Sequence, residues 1–141
     1  EENSFLIPAL THCNTYMSSY IIDGVPAERI KHNYLVWLRI SGVKAETVDD
    51  YLFNNQGDLR AYFYENWDQI FKPVNDSWLD NLIKKISLAY KEFYKQDFSN
   101  ELKKYRLDYI VSVGELNNNT RNLLPELRFI DNLDGIYLYK F

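Results

Sequence analysis

The stretch from Ser77 to Lys95 carries the pattern that most constrains the fold. Apolar side chains recur there three and four positions apart, at Leu79, Leu82, Ile83, Ile86, Tyr90 and Phe93. The positions between them hold charged side chains, at Lys84, Lys85, Lys91 and Glu92. Residues three and four apart share one face of an α-helix, so the pattern predicts a long amphipathic helix, capped by Asn75 or Asp76. Such a helix must bury its apolar stripe against other elements, which predicts a packed domain.

Further helices are predicted on both sides of this one. Residues 26–41 start at Pro26, a residue favoured in a first helical turn, and stop before Gly42. The apolar residues of this segment also recur at helical spacing. Residues 45–53 and a segment capped by Asp58 predict two more helices, and residues 99–105 predict a short one.

Strand signals occur at both ends of the chain. Residues 14–22 are rich in aromatic and β-branched residues, and residues 107–113 form a short apolar run that is typical of a buried central strand. A crossover through the helices would make these two strands parallel. Residues 127–132 and 136–141 flank Asp134-Gly135, a strong hairpin signal, and residues 114–122 are predicted to be a polar loop. We therefore expect a single α/β domain over residues 1–141. Its small mixed sheet of about four strands, with a C-terminal hairpin, packs with four or five helices.

Charge and composition exclude several functions. The chain has 16 basic and 20 acidic residues, whereas non-specific nucleic-acid binding needs a basic surface. We therefore expect no nucleic-acid partner. Cys13 is the only cysteine, so an internal disulfide is impossible, and the sequence has no apolar run of membrane-spanning length. Nucleotide-binding glycine motifs and metal-ligand spacings are absent, so we predict no cofactor and no metal.

Five residues near the N-terminus are candidates for ligand binding. Thr11 and His12 lie in a polar turn beside Cys13, while Glu28, Arg29 and His32 lie at the start of the predicted helix over 26–41. Glu28 and His32 are four residues apart and share a helix face, and a helix N-terminus favours an anionic group. The same residues also fit a purely structural interpretation, in which Glu28 is solvated and Arg29 binds a carbonyl or a carboxylate.

The cysteine and the carboxylates are weaker candidates. Cys13 would need a base within hydrogen-bond reach to act as a nucleophile, and its neighbour in sequence usually points away from it. A glycosidase needs two carboxylates at a fixed separation. Carboxylates on solvated helix faces meet that condition by chance, and nothing distinguishes one pair within the acidic set Asp49, Asp50, Glu65 and Asp68. The catalytic residues are therefore unknown from the sequence.

Two groups of segments resemble a known type of protein when they are taken together. The first comprises residues 5–11 (FLIPALT), Asn14-Thr15-Tyr16 and Glu28-Arg29. The second comprises residues 105–112 (YRLDYIVS) and 136–140 (IYLYK). They resemble the soluble C-terminal tails of polytopic bacterial membrane proteins, similar to membrane glycosyltransferases that use lipid-linked sugars. Where the catalytic acids of that group are known, they lie in the membrane portion, so no catalytic residue is carried over.

The resemblance implies an extramembrane, non-catalytic domain that serves cell-envelope glycan assembly. It implies an extracytoplasmic, membrane-associated location, membrane helices encoded upstream of Glu1 as the main partner, and a glycan or lipid-linked sugar as a further one. Two alternatives remain. A free-standing small enzyme would bring Thr11–Asn14 together with Glu28, Arg29 or His32 in one pocket. A carbohydrate- or protein-binding module would expose an aromatic patch of several hundred Å².

Overall fold

The computed structural model describes Tyr16, residues 25–64, Gln69 and residues 76–141. Within these residues the helices and strands follow one another in the order α1 (Ala27–Ile40), α2 (Val48–Asn54), α3 (Gln56–Phe63), α4 (Asp76–Tyr94), α5 (Phe98–Lys103), β1 (Tyr109–Val113), α6 (Asn118–Leu123), β2 (Arg128–Leu133) and β3 (Ile136–Lys140). The α/β class predicted from the sequence is confirmed.

Helix α1 follows the sequence signals closely. It begins after Pro26, whose backbone oxygen accepts the first hydrogen bonds of the helix, and it ends before Gly42. Gly42 has a φ of 80°, a left-handed conformation that favours glycine and stops a helix. Tyr34 and Leu38 on its apolar face are fully buried. The predicted helix over 26–41 is therefore confirmed.

Helix α4 packs against the three preceding helices and forms the core with them. Its buried apolar side chains are those of the predicted stripe, with Leu82 only partly buried, and they are Leu79, Ile83, Ile86, Tyr90 and Phe93. Lys84 and Lys85 are exposed, as predicted. The same core includes Val48 and Leu52 of α2, Leu59 of α3, and Leu102 of α5. Burial of one such side chain stabilises a fold by about 1.5–3 kcal/mol, so this stripe decides where α4 lies.

The three strands form an antiparallel sheet in the order β1-β3-β2. Asp134 and Gly135 connect β2 to β3 with φ angles of 50° and 85°. Positive φ at both central residues is typical of the type I′ turn, whose twist matches that of the flanking strands. The predicted hairpin is confirmed. On the inner face of the sheet, Ile110 packs against the helical core and Tyr139 is buried.

The sheet differs from the prediction in the position of β1. Residues 107–113 were expected to form a buried central strand, but in the described part of the chain β1 pairs with β3 alone and Val113 is 92% exposed. A short apolar run does not show whether one or both faces of a strand are covered. The described sheet has three antiparallel strands rather than the expected mixed set of about four. The predicted strand over 14–22, and its parallel pairing, lie outside the described residues.

The predicted polar loop over residues 114–122 contains a helix. The side chain of Asn117 accepts a hydrogen bond from the backbone nitrogen of Thr120 at 2.9 Å and caps α6. Buried Thr120 donates to the backbone oxygen of Ile40 at 3.1 Å, which joins α6 to the end of α1. The loop prediction was wrong because this segment has no long apolar stripe, and its helix depends on one cap and one tertiary contact. Six helices are present among the described residues, against four or five predicted.

Candidate functional site

His32 lies at the centre of a contact between α1 and α5. Its side chain is buried, and its Nε2–H donates to the backbone oxygen of Glu101 at 2.9 Å. Nδ1 lies 3.5 Å from Oε2 of the same glutamate. The rings of Phe93 and Tyr105 pack edge-on against the imidazole, with centroids 5.8 and 5.1 Å away. Burial lowers the pKa of His32, although the bond to Glu101 opposes the shift, so the imidazole is neutral at pH 7.

Of the other sequence candidates on α1, Glu28 is exposed and Arg29 shares the Tyr105 ring with His32. Glu28 forms an ion pair with Lys31 at 2.7 Å, and its side chain is 80% exposed. Arg29 places its guanidinium carbon 5.2 Å from the centre of the Tyr105 ring, a cation–π contact. Arg29 therefore contacts a ring where the structural interpretation expected a carbonyl or a carboxylate. Ligand binding by Glu28, Arg29 and His32 stays a prediction.

The remaining candidates near the N-terminus lie outside the described residues. These are Thr11, His12 and Cys13, so the pocket that the enzyme alternative forms from Thr11–Asn14 and His32 is untested. Tyr16 is described, and it lies close to the same cluster. The side-chain amide of Asn33 donates to the backbone oxygen of Tyr16, and burial raises the pKa of the Tyr16 hydroxyl to about 12. The Tyr16 hydroxyl is therefore protonated at neutral pH.

Tyr105 connects this cluster to a cleft between α5, α6 and the C-terminal residues. The cleft has a volume of about 230 Å³, and Tyr105 is one of its lining residues. Its apolar walls include Leu102, Leu124, Pro125 and Phe141, and Lys103 and Glu126 form an ion pair of 3.1 Å among the lining residues. This volume is below the usual range for drug-sized ligands, about 300–1,000 Å³. The cleft is therefore smaller than a typical small-molecule site.

The acidic set is not assembled into a catalytic pair in the described residues. Asp49 accepts hydrogen bonds from Lys91 and, at 2.6 Å, from the Ser87 hydroxyl, and these bonds lower the pKa of Asp49. Asp50 is exposed on the same helix, and Glu65 and Asp68 lie outside the residues that the structure describes. The Asp49 carboxylate therefore joins α2 to α4.

The outer face of the sheet is a surface that the sequence did not single out. We use this name for the side turned away from the helical core. Strand register assigns it nine side chains, because alternate residues share a face and directly paired residues lie side by side. In β2 the register shifts between Phe129 and Asp131, so Arg128 and Asp131 are assigned by their pairing with Lys140 and Leu138. They form three rows across β1, β3 and β2, namely Val113, Ile136 and Leu133, then Val111, Leu138 and Asp131, then Tyr109, Lys140 and Arg128.

Most of the outer face is apolar and exposed. The exposed fraction is 92% for Val113, 72% for Leu133 and 54% for Val111. Ile136 and Tyr109 are also about half exposed, at 49% and 47%. Single exposed apolar side chains are common, but a continuous apolar patch on a monomer is typical of an interaction site. The outer face is therefore the strongest candidate for a binding surface.

The basic row of the outer face lacks acidic partners. Lys140 lies directly opposite Arg128 in the sheet, and like charges in this position destabilise a strand pair. In the described part of the chain, neither cation has a carboxylate within ion-pair distance. This end of the sheet is therefore suited to an acidic group on a partner.

Comparisons with known proteins identify no relative: no family model, no curated protein and no solved structure matches this chain. Among the described helices, none combines the length and the apolar character that crossing a membrane requires. Tyr16, residues 25–64, Gln69 and residues 76–141 hold no cluster of three or more histidine, cysteine or acidic side chains that could bind a metal ion.

Glu101, Tyr105 and the outer face were not predicted from the sequence. His32 lies 69 residues before Glu101, and no local pattern predicts a contact at that distance. The outer face had no clear signal, because Ile110 between Tyr109 and Val111 is apolar too, so β1 shows no clean alternation of apolar and polar residues.

Proposed function

We propose that this domain is a docking module that binds a protein partner through the outer face of its sheet. The observation that carries the proposal is the continuous exposed apolar surface of Val111, Val113, Leu133 and Ile136. Full burial of such a side chain is favourable by about 1.5–3 kcal/mol, so several of them can drive association. The core has already been formed by other residues, so this surface is available for a partner.

The composition of the outer face favours a protein partner over a sugar. Tyr109 is the single aromatic residue among its nine side chains, so the outer face offers one ring against which a sugar could stack. Aliphatic side chains offer no hydrogen bonds to sugar hydroxyls, and burying unpaired hydroxyls costs free energy. A glycan or lipid-linked sugar would then belong to another part of the complete protein.

Within this proposal, the module is an extramembrane, non-catalytic domain of a multi-pass membrane protein in cell-envelope glycan assembly. The support for this context is the resemblance of residues 5–11, 14–16, 28–29, 105–112 and 136–140 to the tails of such proteins. The contacts of His32, Arg29 and Asp49 are consistent with a non-catalytic role, because each of these side chains already contacts a distant segment of the chain. A free-standing enzyme is the second candidate function, and it requires Thr11–Asn14 to complete a pocket with His32.

Fractionation of cells that express the natural gene tests the membrane context. An antibody against this domain should detect it in the membrane pellet after washing with salt and alkaline carbonate. Recovery of the intact gene product in the soluble fraction would overturn the membrane context. Docking through the outer face does not depend on this result and is tested separately.

Site-specific photo-crosslinking tests the docking surface. A photoreactive amino acid replaces Val113 on the outer face or, as the control, Lys84 on the exposed side of α4. Both positions are exposed, so neither replacement disturbs the core. We expect a protein adduct from Val113 in intact cells that is absent when the label is at Lys84. Equal or absent labelling from the two positions would refute docking through the outer face.

A further inference from the structure

We infer that the partner of the outer face is a second copy of this chain, and that the two sheets cross at about 90°. This inference rests on the proposed docking function and names its partner. Most soluble oligomers are homo-oligomers, and a two-fold interface must be complementary to itself. The positions of the charges on the outer face make this requirement testable.

The charged side chains occupy defined positions in the nine-residue grid. Lys140 and Arg128 belong to the row farthest from the β2–β3 turn, and Asp131 lies in the middle row on β2. The other six positions carry apolar or aromatic side chains. A partner should therefore offer an acidic group opposite Lys140, a basic group opposite Asp131, and apolar groups opposite the six apolar or aromatic positions. Arg128, at the corner of the grid, needs either an acidic group or access to solvent.

Three of the four simple two-fold arrangements of facing sheets fail this requirement. An axis along the strands places Lys140 over Lys140 of the second copy. An axis across the strands places Asp131 over Asp131 of the second copy. A diagonal axis through Leu133, Leu138 and Tyr109 places Asp131 over Ile136 and Arg128 over Val113. None of these three arrangements places Asp131 or Lys140 opposite a group of the other charge, and leaving both charges unpaired in the contact costs free energy.

The other diagonal axis meets the requirement. It passes through Val113, Leu138 and Arg128, and it places Asp131 over Lys140 of the second copy. By symmetry it forms this ion pair twice. It also places Leu133 over Tyr109 and Ile136 over Val111, so apolar groups face apolar groups. Arg128 meets its own copy at the corner of the grid, where both guanidinium groups can turn to solvent.

The spacing of the sheet permits this overlay. Rows are about 7 Å apart along the strands, and neighbouring strands are about 4.8 Å apart. In this overlay the rows of one sheet lie over the strands of the other, so facing positions are displaced by about 2 Å for each step from the centre. Long side chains such as Lys140 and Leu133 can span this displacement. Crossing at about 90° is one of the two common geometries of packed sheets.

The size of the interface predicts a weak dimer. Three strands of five residues present a flat footprint of roughly 14 Å by 17 Å, which is small beside a standard interface of about 800 Å² per partner. Copies held in one membrane are concentrated at its surface, so a weak contact is sufficient there.

Two single charge reversals, analysed alone and mixed, test the pairing. Asp131→Lys and Lys140→Asp each place like charges in both ion pairs, so each should raise the dimer dissociation constant about tenfold or more. In an equimolar mixture, the two variants form opposite-charge pairs at both positions and should associate as strongly as wild type. Lys84→Asp on α4 is the control for Lys140→Asp, because it makes the same charge change outside the outer face.

The measurement is sedimentation velocity of the 141-residue chain over a wide concentration series, with circular dichroism to confirm folding. Wild type should dimerise with concentration, as should Lys84→Asp, and both single reversals should weaken dimerisation. A monomeric wild type at every concentration, or a mixture that associates no better than its components, would overturn the dimer. If Val113 crosslinks to a different protein in that case, the docking function remains and only the second copy is excluded.

Discussion

The hydroxyl of Tyr90 provides a sharp test of how the helical core is held. Tyr90 is fully buried on α4, and its hydroxyl donates to the backbone oxygen of Val43 at 2.5 Å. Val43 lies in the connection between α1 and α2, and it is 7% exposed. Burial raises the pKa of Tyr90, so the hydroxyl keeps its proton and remains a donor at neutral pH. Tyr90→Phe removes this one contact and keeps the aromatic ring.

The expected loss follows from the buried carbonyl that remains. The ring still packs against Phe93 and Tyr94, so no cavity is formed. The Val43 oxygen loses its donor and is too buried to recover full hydration. The free energy of unfolding should therefore fall by about 1–3 kcal/mol, the cost of an unsatisfied buried polar group. The melting temperature should fall by roughly 3 °C for each kcal/mol.

Urea unfolding followed by far-ultraviolet circular dichroism measures this difference. Tyr94→Phe is the matched control, because the Tyr94 ring contacts the Arg39 guanidinium and its hydroxyl has no hydrogen bond among the described residues. The control should change stability by less than about 0.5 kcal/mol. Equal effects of the two replacements, or a loss below that limit in Tyr90→Phe, would refute the role assigned to the Tyr90 hydroxyl.

Three further predictions concern the elements around the candidate sites. Burial lowers the pKa of His32 below its ordinary value of 6.5, so the unfolded chain takes up this proton first as the pH falls. The contribution of neutral His32 to the free energy of unfolding is complete above pH 6.5, and it is lost as the pH falls through the folded pKa. His32→Phe should remove this pH dependence in urea titrations, and an unchanged pH profile would contradict the prediction. Asp97 caps α5 by accepting from the Asn100 backbone nitrogen at 2.8 Å, so Asp97→Ala should cost about 1 kcal/mol in thermal unfolding, and no loss would argue against the cap. Gly135→Ala places a side chain at a φ of 85° and should cost about 1–2 kcal/mol in the same measurement, whereas a neutral result would argue against the type I′ turn.

Short sequence patterns predicted the helices and turns that are stabilised by neighbouring residues in the chain. The stripe from Leu79 to Phe93 predicted α4, and Asp134-Gly135 predicted the hairpin, because helical periodicity and turn preference act over a few residues. The helix over 118–123 was missed, because its stability depends on the Asn117 cap and on Thr120 reaching Ile40, which is 80 residues away.

The candidate site residues likewise divide into those that local patterns indicated and those that depend on contacts between distant segments. The sequence nominated Arg29 and His32, and both make contacts that join elements. It did not nominate Glu101 or Tyr105, which those side chains contact, because contacts between distant segments leave no local pattern. The burial of Leu107–Val113 was misjudged for a related reason. An apolar strand has the same sequence whether or not a neighbour covers its outer side.

The sequence alone determined that this chain has an amphipathic helical core and a C-terminal hairpin, because side-chain spacing and turn chemistry are properties of short segments. Only the tertiary structure decided which surfaces remain exposed after that core is formed. The register of β1, β3 and β2 placed Val113, Leu133 and Ile136 on one exposed face, with Asp131 and Lys140 beside them. Burial is a property of the packed whole, so this surface became visible only after every element had been placed.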